Sequence, residues 1–309
     1  MERKHTDIMV DLKSKHRVIA DLVGDRGVHY VDLPMHGNIG DLLIMLGTMK
    51  FLAENRINCS TVASLRNYSS KWLGPDRVLL LHGGGNLGDL YPRFQSFRER
   101  MVEQLPENRI IIFPQSIHFS SEQAFAKAAK IFSRHPDLHI CTRDARSHAL
   151  AKSMSANTYL LPDMAHQLYP LTRAGTAARG TLGLVRTDKE STRNVEIGAD
   201  TVTDWPEYVG SNFRLIRYYR AIARYSYELG AGARVADFQT RMWVRYAQRI
   251  VAGAVNLFSD HSRVVSDRLH AHILSCLLDM PNEIMDNSYG KNSTYINQWT
   301  GASPLVTLV

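Results

Sequence analysis

Cysteine is scarce in this chain. Its three residues, Cys59, Cys141 and Cys276, form no C-x-x-C pair and stand beside no histidine cluster at zinc spacing, so neither a disulfide framework nor a structural metal is expected. Long apolar runs are missing as well: no stretch approaches the roughly 18 uninterrupted apolar residues of a membrane span. Met1 to Val10 alternates charged and apolar side chains and lacks the apolar core, about 7 to 15 residues long, of a secretory signal. The expected location is the cytoplasm, with contact at the inner face of the cytoplasmic membrane left open. No low-complexity tract, short repeat or Walker lysine pattern occurs.

What is present is ordinary globular material. The 309 residues are 44% hydrophobic and 22% charged, enough for two cored domains or one large one. Lys and Arg number 37 against 30 Asp and Glu, a net charge of +7. That excess suits an anionic partner (nucleic acid, a membrane surface or a phosphorylated small molecule), or it serves solubility alone.

Strand-length apolar runs alternate with helix-periodic segments, the pattern of a parallel sheet with helical crossovers. Expected strands are Val28 to Leu33, Val78 to Leu81, Arg109 to Phe113, Leu138 to Thr142 and Thr158 to Leu161. Each ends in polar or glycine-rich residues, at the edge where open parallel sheets bind ligands. The rhythm lapses between Ala165 and Gly180, which puts a domain boundary near residue 168. Beyond it come a strand from Leu182 to Arg186, a helix from Tyr208 to Gly230 and a strand near Arg234 to Asp237. A helix from Thr240 to Ala252, a strand at Val255 to Phe258 or Val264 to Ser266, a helix from His270 to Leu278 and a strand after Pro281 complete the second half.

Two loops share the pattern Gly-Asn-x-Gly-Asp: Gly37-Asn38-Ile39-Gly40-Asp41 and Gly85-Asn86-Leu87-Gly88-Asp89. Glycines at a turn into a helix leave backbone amides for an anion, or they merely serve a strand-to-helix corner. Residues 83 to 88 match G-x-G-x-x-G, yet in the second unit and without an acidic residue ending the next strand, so a dinucleotide site is not indicated. Arg143-Asp144 follows one strand, and Ser266-Asp267-Arg268-Leu269-His270 lies in the second half. Two arginine forks from different halves with a histidine nearby would suit a small anionic substrate. Asp41, Asp89 and Asp267 are candidates for sugar hydroxyls or for a base, or they cap helices and orient neighbours.

These motifs, with Phe113-Pro114-Gln115-Ser116-Ile117-His118 and Asn287-Ser288-Tyr289-Gly290-Lys291, occur in an order that resembles the polysaccharide pyruvyltransferase family over roughly residues 28 to 299. The resemblance implies an α/β architecture of two Rossmann-like domains facing across a cleft, glycosyltransferase-B-like. They would be residues 1–168, on the acceptor side, and 169–309, on the donor side, with the tail packing back on the first. It implies transfer of pyruvate from phosphoenolpyruvate to two hydroxyls of a sugar in a polysaccharide repeat unit, forming a cyclic ketal and releasing phosphate. No cofactor or metal is called for. Arg143, Arg268 and His270 would be catalytic, and Arg143, Arg268, Leu269, His270, His118 and Ser116 would bind the donor. Asn38, Asp41, Asn86, Asp89 and Lys291 are assigned to the acceptor, a glycan or lipid-linked oligosaccharide. A nucleotide-sugar glycosyltransferase of similar architecture is the alternative, and a nucleic-acid partner is not expected.

Between Trp205 and Arg249 arginines and aromatic residues interleave at helical spacing. They suit an anionic lipid surface or a lipid-linked acceptor, or else solvated arginines backed by core aromatics.

Overall fold

The computed structural model describes residues 3–173, 179–186, 198–286 and 290–309, apart from the side chains of residues 211 and 291. The first half holds helices α1 (His5–Lys15), α2 (Arg17–Val23), α3 (Ile39–Glu54), α4 (Pro92–Gln104), α5 (Glu122–Phe132) and α6 (Ala145–Ala151). Between them run strands β1 (Val28–Val31), β2 (Cys59–Val62), β3 (Val78–Leu81), β4 (Gly84–Gly88), β5 (Ile110–His118), β6 (Leu138–Thr142) and β7 (Asn157–Leu160). They form one seven-stranded sheet, ordered β2-β1-β3-β5-β6-β7, with β4 pairing on β5. The recorded pairings are parallel.

The second half contributes β8 (Thr181–Leu184), β9 (Thr201–Thr203), β10 (Arg263–Ser266), β11 (Asn282–Ile284) and β12 (Val306–Leu308). These make a five-stranded sheet in the order β12-β11-β10-β8-β9, also parallel. Its helices are α7 (Trp205–Val209), α8 (Phe213–Glu228), α9 (Ala233–Ser259), α10 (Leu269–Leu277) and α11 (Lys291–Trp299).

Side-chain alternation along the first sheet feeds two cores. Val31, Leu79, Leu81, Ile110 and Ile112 pack under α4, α5 and α6, whereas Tyr30, Val78, Leu80, Ile111 and Phe113 face α3. This second core continues through Met164, α9 and α10 to Leu182, Leu184 and Val264 of the other sheet. The two sheets therefore share one apolar interior. At α3, Gly47 permits the approach, since a Cβ there would lie 2.1 Å from the Met164 carbonyl.

The strand expected at Arg234 to Asp237 is instead the start of α9, as is the alternative strand at Val255 to Phe258 its end. Ala236, Thr240, Trp243, Ala247, Ile250, Val251, Ala254 and Phe258 are buried along one side, and this 3.6-residue period outweighs the short Val-Ala and Val-Asn-Leu-Phe runs. At 27 residues α9 is about 40 Å long and reaches the edge of the first sheet. There Asp237 accepts from the Val62 amide at 2.8 Å, and Trp243 donates to the Pro34 carbonyl at 2.7 Å. Contacts also run the other way. His5 of α1 bonds Ser303 and the Cys276 carbonyl, Tyr295 of α11 accepts from the Asp163 amide at 3.0 Å, and Trp299 donates to the Arg143 carbonyl at 2.8 Å.

Of the aromatic residues between 205 and 249, Trp205, Trp243 and Tyr246 belong to the core or pack against it. Phe213, Tyr218, Tyr225 and Phe238 are exposed, so the segment divides between the two readings of it.

Candidate active site

Strand order reverses between β1 and β3 in the first sheet and between β8 and β10 in the second. Crevices open at the carboxyl ends of strands at such points, and both crevices face one cleft. From the first half the cleft is lined by His36, Asn38, Asp41, Gly85, Asn86 and Arg143, and from the second by Arg186, Trp205, Arg268, Leu269, His270 and Asn292. Arg186 and Arg268 each stand two residues beyond a strand end.

The loop after β1 leads into α3, with Asn38 as N-cap accepting from the Gly40 amide at 3.1 Å. Its glycines are not in the left-handed region. They are small because the second half arrives there: a Cβ on Gly37 would lie 2.4 Å from Val209 Cγ1, and one on Gly40 2.4 Å from His270 Nδ1. The second copy of the pattern behaves differently. Residues 84–88 form strand β4, no helix starts until Pro92, and Gly84 and Gly88 have φ of 117° and 130°. A Cβ at Gly88 would collide with the His118 carbonyl, 1.7 Å away. The expectation of two equivalent turns into helices is therefore corrected: one loop seats the opposing half, and the other is a strand edge.

Asn86 is held by a buried network. Its Oδ1 accepts from Arg98 Nη2 at 2.7 Å and Gln115 Nε2 at 3.1 Å, leaving its NH₂ group for the cleft. Arg98 also pairs with Asp32 at 2.8 Å, with both side chains fully buried. Burial pushes the Asp32 carboxyl up to about 6, against the opposing pull of Arg98 and the His82 amide.

Arg143 is almost fully buried. Its Nε donates to Ser116 Oγ at 3.0 Å and its Nη1 to Asp163 Oδ2 at 2.5 Å. Ser116 donates onward to Asp144 at 2.8 Å. Among the described residues two of the five guanidinium N–H groups are thus engaged, and the others are available to a ligand. Arg268 presents its Nε and Nη2 to the two oxygens of Asp204, at 2.5 and 2.6 Å. Asp204 itself caps α7 by accepting from the Trp205 amide. Each arginine is thereby fixed by a carboxylate on the side away from the cleft.

His270 sits on the first turn of α10 with its ring against Gly40. Its Nε2 lies 3.4 Å from Asp163 Oδ2, and no other hydrogen-bond partner for it is found among the described residues. Burial opposes ionisation of Asp163, but His270, Arg143 and the Ala165 amide outweigh it and hold this carboxyl far below the usual range. The Asp163 carboxylate thus faces both the His270 ring and the Arg143 guanidinium.

Arg143, Arg268, Leu269, His270, Asn38, Asp41 and Asn86 are therefore brought together. Ser116 stands behind Arg143 as its support and does not line the cleft. His118 and Asp89 are not brought in: His118 ends β5 beside Gly88, and Asp89 accepts from the amide and hydroxyl of Ser120 in a turn. Asp267 accepts from the Arg186 amide at 2.9 Å, so it orients backbone. The Lys291 side chain and Asn287 to Tyr289 lie outside the described residues. Asp163, Asp204, Arg186, His36 and Asn292 were missed by sequence reasoning; an aspartate after a strand or before Trp-Pro looks like any helix cap. Among the described residues no group of three or more His, Cys, Asp or Glu could hold a metal ion.

Residues 38–288 match the family model described as polysaccharide pyruvyl transferase. The chain belongs to this family. "Putative pyruvyl transferase EpsO" of Bacillus subtilis is 36% identical over 315 residues, covering 100% of this chain and 96% of the relative. Pyruvyl transferase 1 of Schizosaccharomyces pombe is 30% identical over 294 residues, covering 89% and 70%. A crystal structure of a functionally uncharacterized Klebsiella pneumoniae protein superposes with a TM-score of 0.56 at 20% identity, over 100% of this chain and 99% of that one. That likeness speaks for the α/β fold alone. As a pyruvyl transferase, the chain carries Arg143, Arg268 and His270 at one junction of its two sheets.

Proposed function

We propose that the enzyme takes pyruvate from phosphoenolpyruvate and closes it as a ketal on two hydroxyls of a sugar, releasing inorganic phosphate. The observation that carries this reading is the convergence of Arg143, Arg268 and His270 from opposite sheets. A three-carbon acid bearing a carboxylate and a phosphate suits two pre-oriented guanidinium forks. The architecture is read as two Rossmann-like domains in a glycosyltransferase-B-like arrangement, split near residue 168. The acceptor is read as a lipid-linked repeat unit met in the cytoplasm at the membrane face; among the described residues no helix is long and apolar enough to cross a membrane.

In this mechanism His270, protonated and steadied by Asp163, gives its proton to C3 of the donor, and C2 becomes electrophilic. One sugar hydroxyl adds to C2 and loses its proton. The second hydroxyl then attacks C2 and loses its proton as the C2–O bond to phosphate breaks, so one ketal and one phosphate form per donor. Arg143 and Arg268 stabilise the charge that grows on the departing phosphate. In this reading Asp41, 3.6 Å from His36 Nε2, takes a hydroxyl proton or holds the sugar.

Thermal shift of the purified chain with phosphoenolpyruvate and with a panel of nucleotide sugars tests the donor. Stabilisation by phosphoenolpyruvate is the expected result. Stabilisation by nucleotide sugars alone would mean a glycosyltransferase.

A further inference from the structure

A second concavity adjoins the cleft. It measures about 430 Å³, against about 130 Å³ for the cleft, a volume that leaves little room for a sugar beside a bound donor. Leu33, Met35, Leu65, Tyr91, Pro92 and Phe94 supply its apolar walls. His36, Leu90, Tyr91 and Phe94 border both spaces, so groove and cleft are continuous.

Arg66, Arg93 and Arg220 also line the groove, from the loop after β2, the start of α4 and the middle of α8. Arg66 lies within electrostatic range of Arg220, Arg93 and Arg224, and Arg220 lies within range of His36 at the cleft's edge. Among the described residues, Arg66, Arg93 and Arg220 enter no ion pair, whereas Arg224 has Glu228 at 2.8 Å. This contrasts with the cleft, where Asp163 and Asp204 each balance an arginine. Three unbalanced guanidinium groups beside an apolar wall repel one another until an anion joins them, and together they suit more than a single negative charge.

We propose that this groove is the acceptor subsite and takes a glycan linked to a diphosphate, its sugar ring on Tyr91 and Phe94 and its diphosphate on Arg66, Arg93 and Arg220. The word acceptor rests on the transferase reading; the anion site does not. A monoanionic sugar acid would need one of the three arginines, and a neutral glycan none. A diphosphate uses all three in bidentate or bridging contacts.

Calorimetric titration of the full chain with inorganic pyrophosphate, in saturating phosphoenolpyruvate, tests the proposal. Wild type binds, and a variant carrying Arg66→Gln, Arg93→Gln and Arg220→Gln binds at least tenfold more weakly while its affinity for phosphoenolpyruvate stays within twofold. The corresponding triple Lys variant, which keeps the charge, retains most of the binding and guards against a fold defect. No pyrophosphate binding to wild type, or binding lost in Arg268→Ala and kept in the Gln variant, overturns the proposal. So does tighter binding of glucuronate than of pyrophosphate at the same arginines. Groove-dependent pyrophosphate binding in a chain that fails to bind phosphoenolpyruvate supports the anion site and contradicts only the donor reading.

Discussion

His270 packs its imidazole over the backbone of Gly40, so closely that a Cβ on Gly40 would stand 2.4 Å from Nδ1. One residue belongs to the second sheet's α10 and the other to the first turn of α3. His270 is therefore positioned by the opposite half of the molecule. Gly40→Ala is expected to leave the fold and phosphoenolpyruvate affinity near wild type and to lower kcat by about a hundredfold, the cost of moving a reacting group by about an ångström. Stopped assays with matched circular dichroism spectra check this.

Removing the side chains themselves separates their roles. His270→Ala is expected to lower kcat by about two to four orders of magnitude, the range for loss of a general acid, with donor affinity changed by no more than a few-fold. Arg268→Ala is expected to raise the donor Kd instead. Calorimetry with phosphoenolpyruvate alone distinguishes the two outcomes.

Asp204 contributes through Arg268, whose fork it grips at 2.5 and 2.6 Å. Asp204→Asn keeps the cap on α7 but loses one bidentate contact, so the donor KM is expected to rise roughly tenfold, about 1.4 kcal/mol. Asp163→Ala is more severe. It leaves Arg143 buried without a counter-charge, which costs about 3 to 5 kcal/mol, and denaturant midpoints report the loss.

Acid is expected to destabilise the fold. Burial lowers the pKa of His16 to about 4, of His166 to about 3 and of His272 to about 4. His16 bonds the Pro162 carbonyl, His166 meets Tyr295, and His272 links Asn282 to Thr300. The unfolded chain takes up protons on these residues below about 6.5, while the folded one does so only near 3 to 4, so stability falls as pH drops through that window. Tm is expected to decline by roughly 10 °C or more between pH 6.5 and 4.5. A flat Tm across that interval would contradict the neutral assignment.

Much of the architecture was legible in the chain because buried parallel strands read as continuous apolar runs. Val78 to Leu81 and Leu138 to Thr142 appear at their expected bounds. Cys59 to Val62 escaped notice, being a mixed edge strand with an exposed residue. Short apolar runs in the second half misled where Arg234 to Asp237 belongs to a long helix. At the site, Arg143, Arg268 and His270 stood out through motif order. Asp163 and Asp204 did not, since their work depends on partners 20 to 107 positions away that only the fold brings near. The glycines of Gly37 to Gly40 were visible, but their reason, contact with Val209 and His270, belongs to tertiary structure.

The transfer itself is tested most directly by measuring inorganic phosphate and acceptor mass in one reaction, with wild type and His270→Ala side by side. One phosphate released for each pyruvate ketal gained by the glycan, and both slowed about a hundredfold or more with His270→Ala, is the predicted result. Glycan modification without equivalent phosphate, or full turnover by His270→Ala, would contradict it.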